Sequence, residues 1–166
     1  MEKRKFIIAV YVENQAGVLT RVTSMFTRRG FNIDALTGGE TERSEYSRIT
    51  IAMRGDEYVK EQLINQLKKL LVVKKVEVLE EDAIERELML IKVSNDSSYR
   101  SDIMTAVDVF RANVIDYSPK GMCIEVTGSP SKIDAFVKLM EPFGILEMCR
   151  TGIVALDRGG KTLFME

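Results

Sequence analysis

Two short segments hold the groups that could grip a small polar molecule. The first is Asn14-Gln15-Ala16-Gly17-Val18-Leu19-Thr20-Arg21, which follows an apolar run over residues 6–12 and precedes apolar residues at helical spacing. It reads as a strand-to-helix turn, and its glycine lets backbone approach a ligand with no Cβ in the way. The amides of Gly17, Val18 and Leu19 would belong to the first helical turn. There N–H groups lack intrahelical acceptors and the helix dipole favours an anion, so a carboxylate fits. The second segment is Arg29-Gly30-Phe31-Asn32-Ile33. Asn32 would open the next strand, and its carboxamide, with one acceptor oxygen and two donor hydrogens, could meet an ammonium and a carboxylate together. The polar complement of these groups is a free α-amino acid. The alternative is a turn that binds nothing, since strand–glycine–helix junctions are common and Asn ahead of a strand often serves turn chemistry alone. Spacing leaves both open.

The rest of the chain offers no catalytic kit. With no His among 166 residues, the Ser-His-Asp and Cys-His triads, histidine zinc sites and the usual neutral-pH acid/base are excluded. The carboxylates are scattered, and Glu80-Glu81-Asp82 reads as a solvated linker rather than a cation site. Gly159-Gly160-Lys161 lacks the strand–loop–helix setting of a phosphate loop. Tyr11 and Tyr46 could stack bases, yet no basic stripe accompanies them and the net charge is −1, so nucleic acid is not an expected partner. Neither catalytic nor metal-ligating residues are assigned. Cys123 and Cys149 stand far apart in apolar stretches and are expected to be buried thiols. No run approaches the roughly 20 apolar residues of a membrane span. The basic-then-apolar start ends at Glu13 and Asn14, which makes it a first strand rather than a secretion signal. A cytoplasmic protein without membrane contact is the expectation.

The elements that must position the two segments follow from periodicity. Residues 6–12 alternate Phe6, Ile8, Val10 and Val12 with Ile7, Ala9 and Tyr11, apolar on both faces of a strand. Val18, Leu19, Val22, Met25 and Phe26 recur at helical spacing, and Gly30 stops that helix. Residues 32–37 read as a second strand, 38–45 as a polar connection and 46–53 as a third strand. Asp56 can cap a helix striped by Val59, Leu63, Ile64, Leu67 and Leu70, ahead of a strand at 72–79. This is β-α-β-β-α-β in about 80 residues, the split-βαβ or ferredoxin-like order. The second half repeats it: a strand at 88–93, helix caps at 96–98, an Ile103/Ala106/Val107/Phe110 stripe, and a strand pair at 114–117 and 122–127. Ser129-Pro130 then opens a helix with Ile133, Phe136, Val137 and Met140 inside, and strand material fills 145–156. The fold class is α+β, two tandem ferredoxin-like domains, 1–80 and 84–166.

The first segment, with Phe26-Thr27-Arg28-Arg29-Gly30-Phe31-Asn32-Ile33-Asp34-Ala35-Leu36-Thr37, resembles the ACT domain of acetolactate synthase small regulatory subunits. The resemblance continues through Ser47-Arg48-Ile49-Thr50-Ile51, residues 86–93 and Arg150-Thr151-Gly152-Ile153-Val154-Ala155-Leu156, covering nearly the whole chain. It implies that domain 1–80 is an ACT domain and that the chain is non-catalytic. The expected partner is a large catalytic subunit using thiamine diphosphate, Mg²⁺ and FAD in branched-chain amino-acid synthesis, activated by this chain and made sensitive to feedback inhibition, typically by valine. It also implies a homodimer with the effector between the first helix of one protomer and strand material of the other. In that picture Asn14, Gly17, Val18, Leu19, Asn32 and Ile33 form the effector site, and the first half alone should hold it. Two other readings stand beside this one: a stand-alone amino-acid-sensing ACT protein, and an enzyme using the scattered carboxylates with a metal.

Overall fold

The computed structural model describes residues 4–163. The chain divides into two compact units. One comprises residues up to Ile84 together with those from Ile153 onward; the other runs from Glu85 to Gly152.

The first unit has the order β1 (Arg4–Glu13), α1 (Val18–Arg29), β2 (Ile33–Glu40), β3 (Tyr46–Gly55), α2 (Glu57–Leu67) and β4 (Val73–Val78). Its strands pair antiparallel in the order β2-β3-β1-β4, so β2 and β4 are the edges. Ile8, Val10 and Val12 of β1 and Ile49, Ile51 and Met53 of β3 meet Val18, Val22, Met25 and Phe26 of α1 and Leu63 and Leu67 of α2 in one core. The Asp56 carboxylate accepts from the Val59 amide at 2.9 Å and starts α2 as its position foretold. Leu70, expected in the helical stripe, falls in the turn after α2 and still packs on the core. Gly38 and Gly39, expected in a connection, lie inside β2 opposite Ile49 and Arg48; pairing on β3 overrides their weak strand preference.

The other face of this sheet is also dry. Ile7, Ala9, Tyr11, Ala52 and Leu79 cluster there with Ile153, Ala155 and Leu163. Residues 153–163 therefore form a strap, including β9 (Val154–Leu156), that belongs to the first unit. This corrects the boundary drawn from sequence, which put all of 84–166 in the second domain. The physical cause is β1 itself: an almost continuous apolar strand needs cover on both faces, and its own two helices cover one. Polar contacts hold the strap down. Arg48 donates to the Ala155 carbonyl at 2.6 Å, the Glu80 amide to Asp157 at 2.8 Å, and Arg158 to the Asp82 carbonyl at 2.7 Å. Part of the charge run at 80–82, read as a solvated linker, is thus an anchor. The first half alone leaves the Ile7/Ala9/Tyr11 face uncovered, so it is not the complete unit that sequence suggested.

The second unit repeats the topology with β5 (Ile84–Ser94), α3 (Arg100–Val109), β6 (Asn113–Tyr117), β7 (Gly121–Gly128), α4 (Pro130–Met140) and β8 (Ile145–Arg150), with four strands in the order β6-β7-β5-β8. Its core joins Met89, Ile91 and Val93 to Ile103, Val107, Met122, Ile124, Val126, Ile133, Phe136 and Met140. Ser129 accepts from the Lys132 amide at 3.3 Å and Pro130 opens α4. Asp96, expected to cap α3, caps the preceding turn through the Ser98 amide at 2.8 Å. The cysteines are not buried: Cys123 is half-buried and Cys149 exposed. They sit opposite Lys92 and Leu90 of β5, on the face away from the core residues Ile91 and Val93. Among the described residues no helix is long and apolar enough to cross a membrane.

Candidate functional site

The turn between β1 and α1 leaves the start of the helix without a side-chain cap. Gly17 has φ 81°, ψ −2°, a left-handed conformation at the helix N-cap. An added Cβ would meet nothing within 4 Å there, so glycine is required by the backbone angle and not by lack of room. The first intrahelical bond runs from the Arg21 amide to the Gly17 carbonyl at 3.0 Å. The amides of Leu19 and Thr20 lie ahead of it, in the turn where the helix offers no acceptor. Of the three amides expected as donors, that of Val18 is directed to the Gln15 carbonyl over 3.4 Å. The Val18 side chain is buried in the core, whereas Leu19 is about half exposed.

Asn14 holds this turn against the β2–β3 connection. Its amide donates to the Glu45 carbonyl at 2.8 Å. Its carboxamide donates to the Ser44 carbonyl at 2.9 Å and accepts from the Ser47 hydroxyl at 3.1 Å. One N–H of that carboxamide remains beyond these bonds. Asn14 therefore spends most of its hydrogen-bonding capacity on holding the turn in place.

Asn32 and Ile33 stand at the far end of α1. Gly30 ends the helix at φ 68°, the Phe31 amide returns to the Phe26 carbonyl at 3.2 Å, and the Phe26 and Phe31 rings meet edge-on at 6.2 Å. This is a Schellman-type stop with its apolar contact. It fixes the chain direction so that Asn32 is exposed and Ile33 enters β2 partly packed on the core. The register shows the separation: Glu13 and Glu40 pair with Tyr46 and Ser47 at one end of the sheet, while Phe6 and Ile33 pair with Met53 at the other. Twelve helical residues rise about 18 Å. The structure thus brings Asn14, Gly17, Val18 and Leu19 together and places Asn32 and Ile33 at the opposite end. A free amino acid cannot span that length within one chain.

Two polar regions were not singled out by sequence. Beneath the strap, a cavity of about 590 Å³ is lined by Tyr11, Glu42, Arg48, Glu77, Asp157 and Lys161 among others. Burial, then the Glu42 carboxylate, raises the Tyr11 phenol above its ordinary value. Lys161 reaches Glu80 at 2.9 Å, Glu77 at 3.1 Å and Asp157 at 3.3 Å, and these carboxylates, Glu80 foremost, push its ammonium well up. These groups mostly satisfy one another and read as the strap's fastening. The signal in the sequence was the second apolar face of β1, which had to be covered by something. The other region is a groove of about 390 Å³ between α1 and the turn after α2. It carries no motif, because its residues come from two distant segments.

Comparison with known proteins agrees in both halves of the chain. Residues 8–75 match the family model described as an AHAS small subunit-like ACT domain, and residues 86–159 match the model for the small subunit of acetolactate synthase. A probable acetolactate synthase small subunit from Archaeoglobus fulgidus is 49% identical over 157 residues, 95% of this chain and 99% of that one. The corresponding probable small subunit of Methanothermobacter thermautotrophicus is 47% identical over 165 residues, 98% of each chain. The crystal structure of the Thermotoga maritima acetolactate synthase small subunit superimposes with a TM-score of 0.90 at 39% identity, covering 95% of this chain and 99% of that one.

Proposed function

The chain belongs to the acetolactate synthase small-subunit family, and from that premise we propose that it is the non-catalytic regulatory chain that activates a catalytic large subunit and makes it sensitive to valine. Thiamine diphosphate, Mg²⁺ and FAD would sit in the large subunit, and the pair would work in the cytoplasm in branched-chain amino-acid synthesis.

The observation that carries this reading is the placement of Gly17 and Asn32 at opposite ends of α1, beside the open edge strand β2. Two copies pairing antiparallel along β2 reverse one copy against the other. The start of each β2, with Asn32, then lies at the end of its partner's β2. That end is where β1 finishes and the Gly17 turn begins. The pairing extends the sheet, satisfies the edge N–H and C=O groups of β2 and creates two equivalent sites. In each, the Leu19 and neighbouring amides of one chain receive the effector carboxylate. Asn32 of the other chain, with the Ile33 backbone, takes the ammonium and the remaining carboxylate oxygen. Charge-assisted hydrogen bonds of this kind contribute about 1.5–3 kcal/mol each.

Selectivity would come from the apolar part of the effector. One methylene is worth about 1–3 kcal/mol in a fitted pocket, so valine should be preferred over leucine or isoleucine by a moderate factor. A ligand that bridges two chains favours one arrangement of the pair. Inhibition needs only a differential affinity between two arrangements, about 1–3 kcal/mol of coupling.

The test is an acetolactate assay of the catalytic subunit with and without this chain, titrated with valine. The expected result is higher activity on adding the chain and a valine-dependent fall that requires it. A catalytic subunit equally active and equally valine-sensitive without the chain would overturn the reading.

A further inference from the structure

The groove between α1 and the turn after α2 has the composition of a protein-docking surface. It is lined by Thr20, Arg21, Ser24 and Arg28 of α1 and by Lys69, Leu70, Leu71 and Val72. Three of these residues are cationic and none is acidic. Among the described residues, Arg21, Arg28 and Lys69 form no ion pair within 4 Å. Some other cations of the same unit are matched, Lys74 with Glu13 and Lys161 with Glu77, Glu80 and Asp157; what sets the three apart is that they line one groove together. The floor is apolar and joined to the core, since Val72 is buried and Leu70 packs against the same cluster. At the rim Leu71 is 91% exposed, the most exposed large apolar side chain of the described residues.

The groove is separate from the surface that pairing along β2 would use. On a helix, Arg21 and Arg28 are seven residues apart and share one flank, turned to the α2 side where Lys69 stands. Leu19 and Thr23 lie on the opposite flank. A second copy on the β2 edge would leave the groove open.

We propose that this groove is where the catalytic large subunit docks, through a segment that presents carboxylates to Arg21, Arg28 and Lys69 and an apolar side chain beside Leu71. This rests on the regulatory reading above and adds to it the contact surface. Charge complementarity selects the occupant. Cations without a carboxylate partner around an apolar floor suit an acidic, apolar-anchored protein segment, and Arg28 keeps donors free beyond its Nε bond to the Ser24 carbonyl at 3.3 Å. A bare phosphate would leave Leu71 and the floor unused, and three cations in a groove this short do not make a nucleic-acid track. The groove also lies at the end of the sheet where the Gly17 turn stands, because the Glu13 amide bonds to the Val72 carbonyl at 2.9 Å. A partner seated there touches the same chain segment that would feel the effector.

The experiment uses the full chain and the catalytic subunit, with association followed by calorimetry or light scattering at low and high salt. Two variants are compared with wild type: R21E/R28E/K69E and Leu71→Asp. Both should weaken association about tenfold or more, and the wild-type affinity should fall with salt while that of the triple variant should not. The dimeric mass of both isolated variants, and the valine heats of Leu71→Asp, should stay as in wild type, which separates this result from misfolding. Wild-type association with both variants unchanged would overturn the groove and leave the regulatory reading standing. Loss of the small-subunit dimer in Leu71→Asp would overturn it by making the groove a contact between copies. A wild-type chain that never associates with the catalytic subunit would instead overturn the regulatory reading itself.

Discussion

The two units share one topology and treat the second face of the sheet differently. In the first, β1 is buried continuously from Ile7 to Val12, and the strap lays Ile153, Ala155 and Leu163 on the face its helices leave open. In the second, the counterpart strand β5 buries Met89, Ile91 and Val93, leaves Leu90 37% exposed and turns Lys92 to solvent. One alternating strand makes a two-layer unit; one uniformly apolar strand demands a third layer. In this chain the third layer comes from residues 153–163, so the first unit is completed only when that distant segment is in place.

The largest expected break in that comparison is Ile153→Asp. It puts a carboxylate into a dry cluster and should destabilise the first unit by about 3 kcal/mol or more, with the second unit's transition unmoved. The matching change on the other sheet, Leu90→Asp, should cost under about 1 kcal/mol. Denaturation followed by hydrogen exchange resolves the two units; equal costs would erase the distinction. Next comes Arg150→Ala in the second unit. It strands the buried Glu87 carboxylate, which accepts from Arg150 Nε at 3.0 Å, and also loses Asp134 at 2.8 Å. A loss of about 2–3 kcal/mol confined to the second unit is expected in the same measurement.

Gly17→Ala is a smaller test of the first unit. The left-handed backbone should cost about 1 kcal/mol, with valine affinity reduced only through the distorted turn. Gly17→Asp adds a carboxylate where the ligand's own would sit and should lower valine affinity tenfold or more by calorimetry. The smallest effect is spectroscopic. The fold raises the Tyr11 phenol, so its neutral form is the one favoured in the native state. The stability it contributes is present below the ordinary phenol value and lost as pH rises through the raised one. An alkaline absorbance titration should show a late-ionising component that is absent in Tyr11→Phe.

Much of this was legible in the residues. The helices followed from their apolar stripes and from Asp56, Ser129-Pro130 and Gly30, which are local signals. The strap was not, because nothing local says which segment covers β1; only the need for cover was visible in Ile7, Ala9 and Tyr11. The same limit explains the cysteines, whose apolar neighbours in sequence belong to a sheet with a wet face. For the candidate site, residue types were readable while geometry was not. Gly17 and Asn32 look adjacent as motifs, and a 12-residue helix holds them apart.

If each effector site takes Gly17 from one chain and Asn32 from another, mixing crippled chains restores binding. Gly17→Asp and Asn32→Ala should each bind valine poorly alone. Co-refolded together, they should regain tight sites, since a mixed dimer has one doubly damaged site and one intact site. Calorimetry of the mixture that shows no recovery over either parent, in dimers proven to be mixed, would contradict a site shared between two copies.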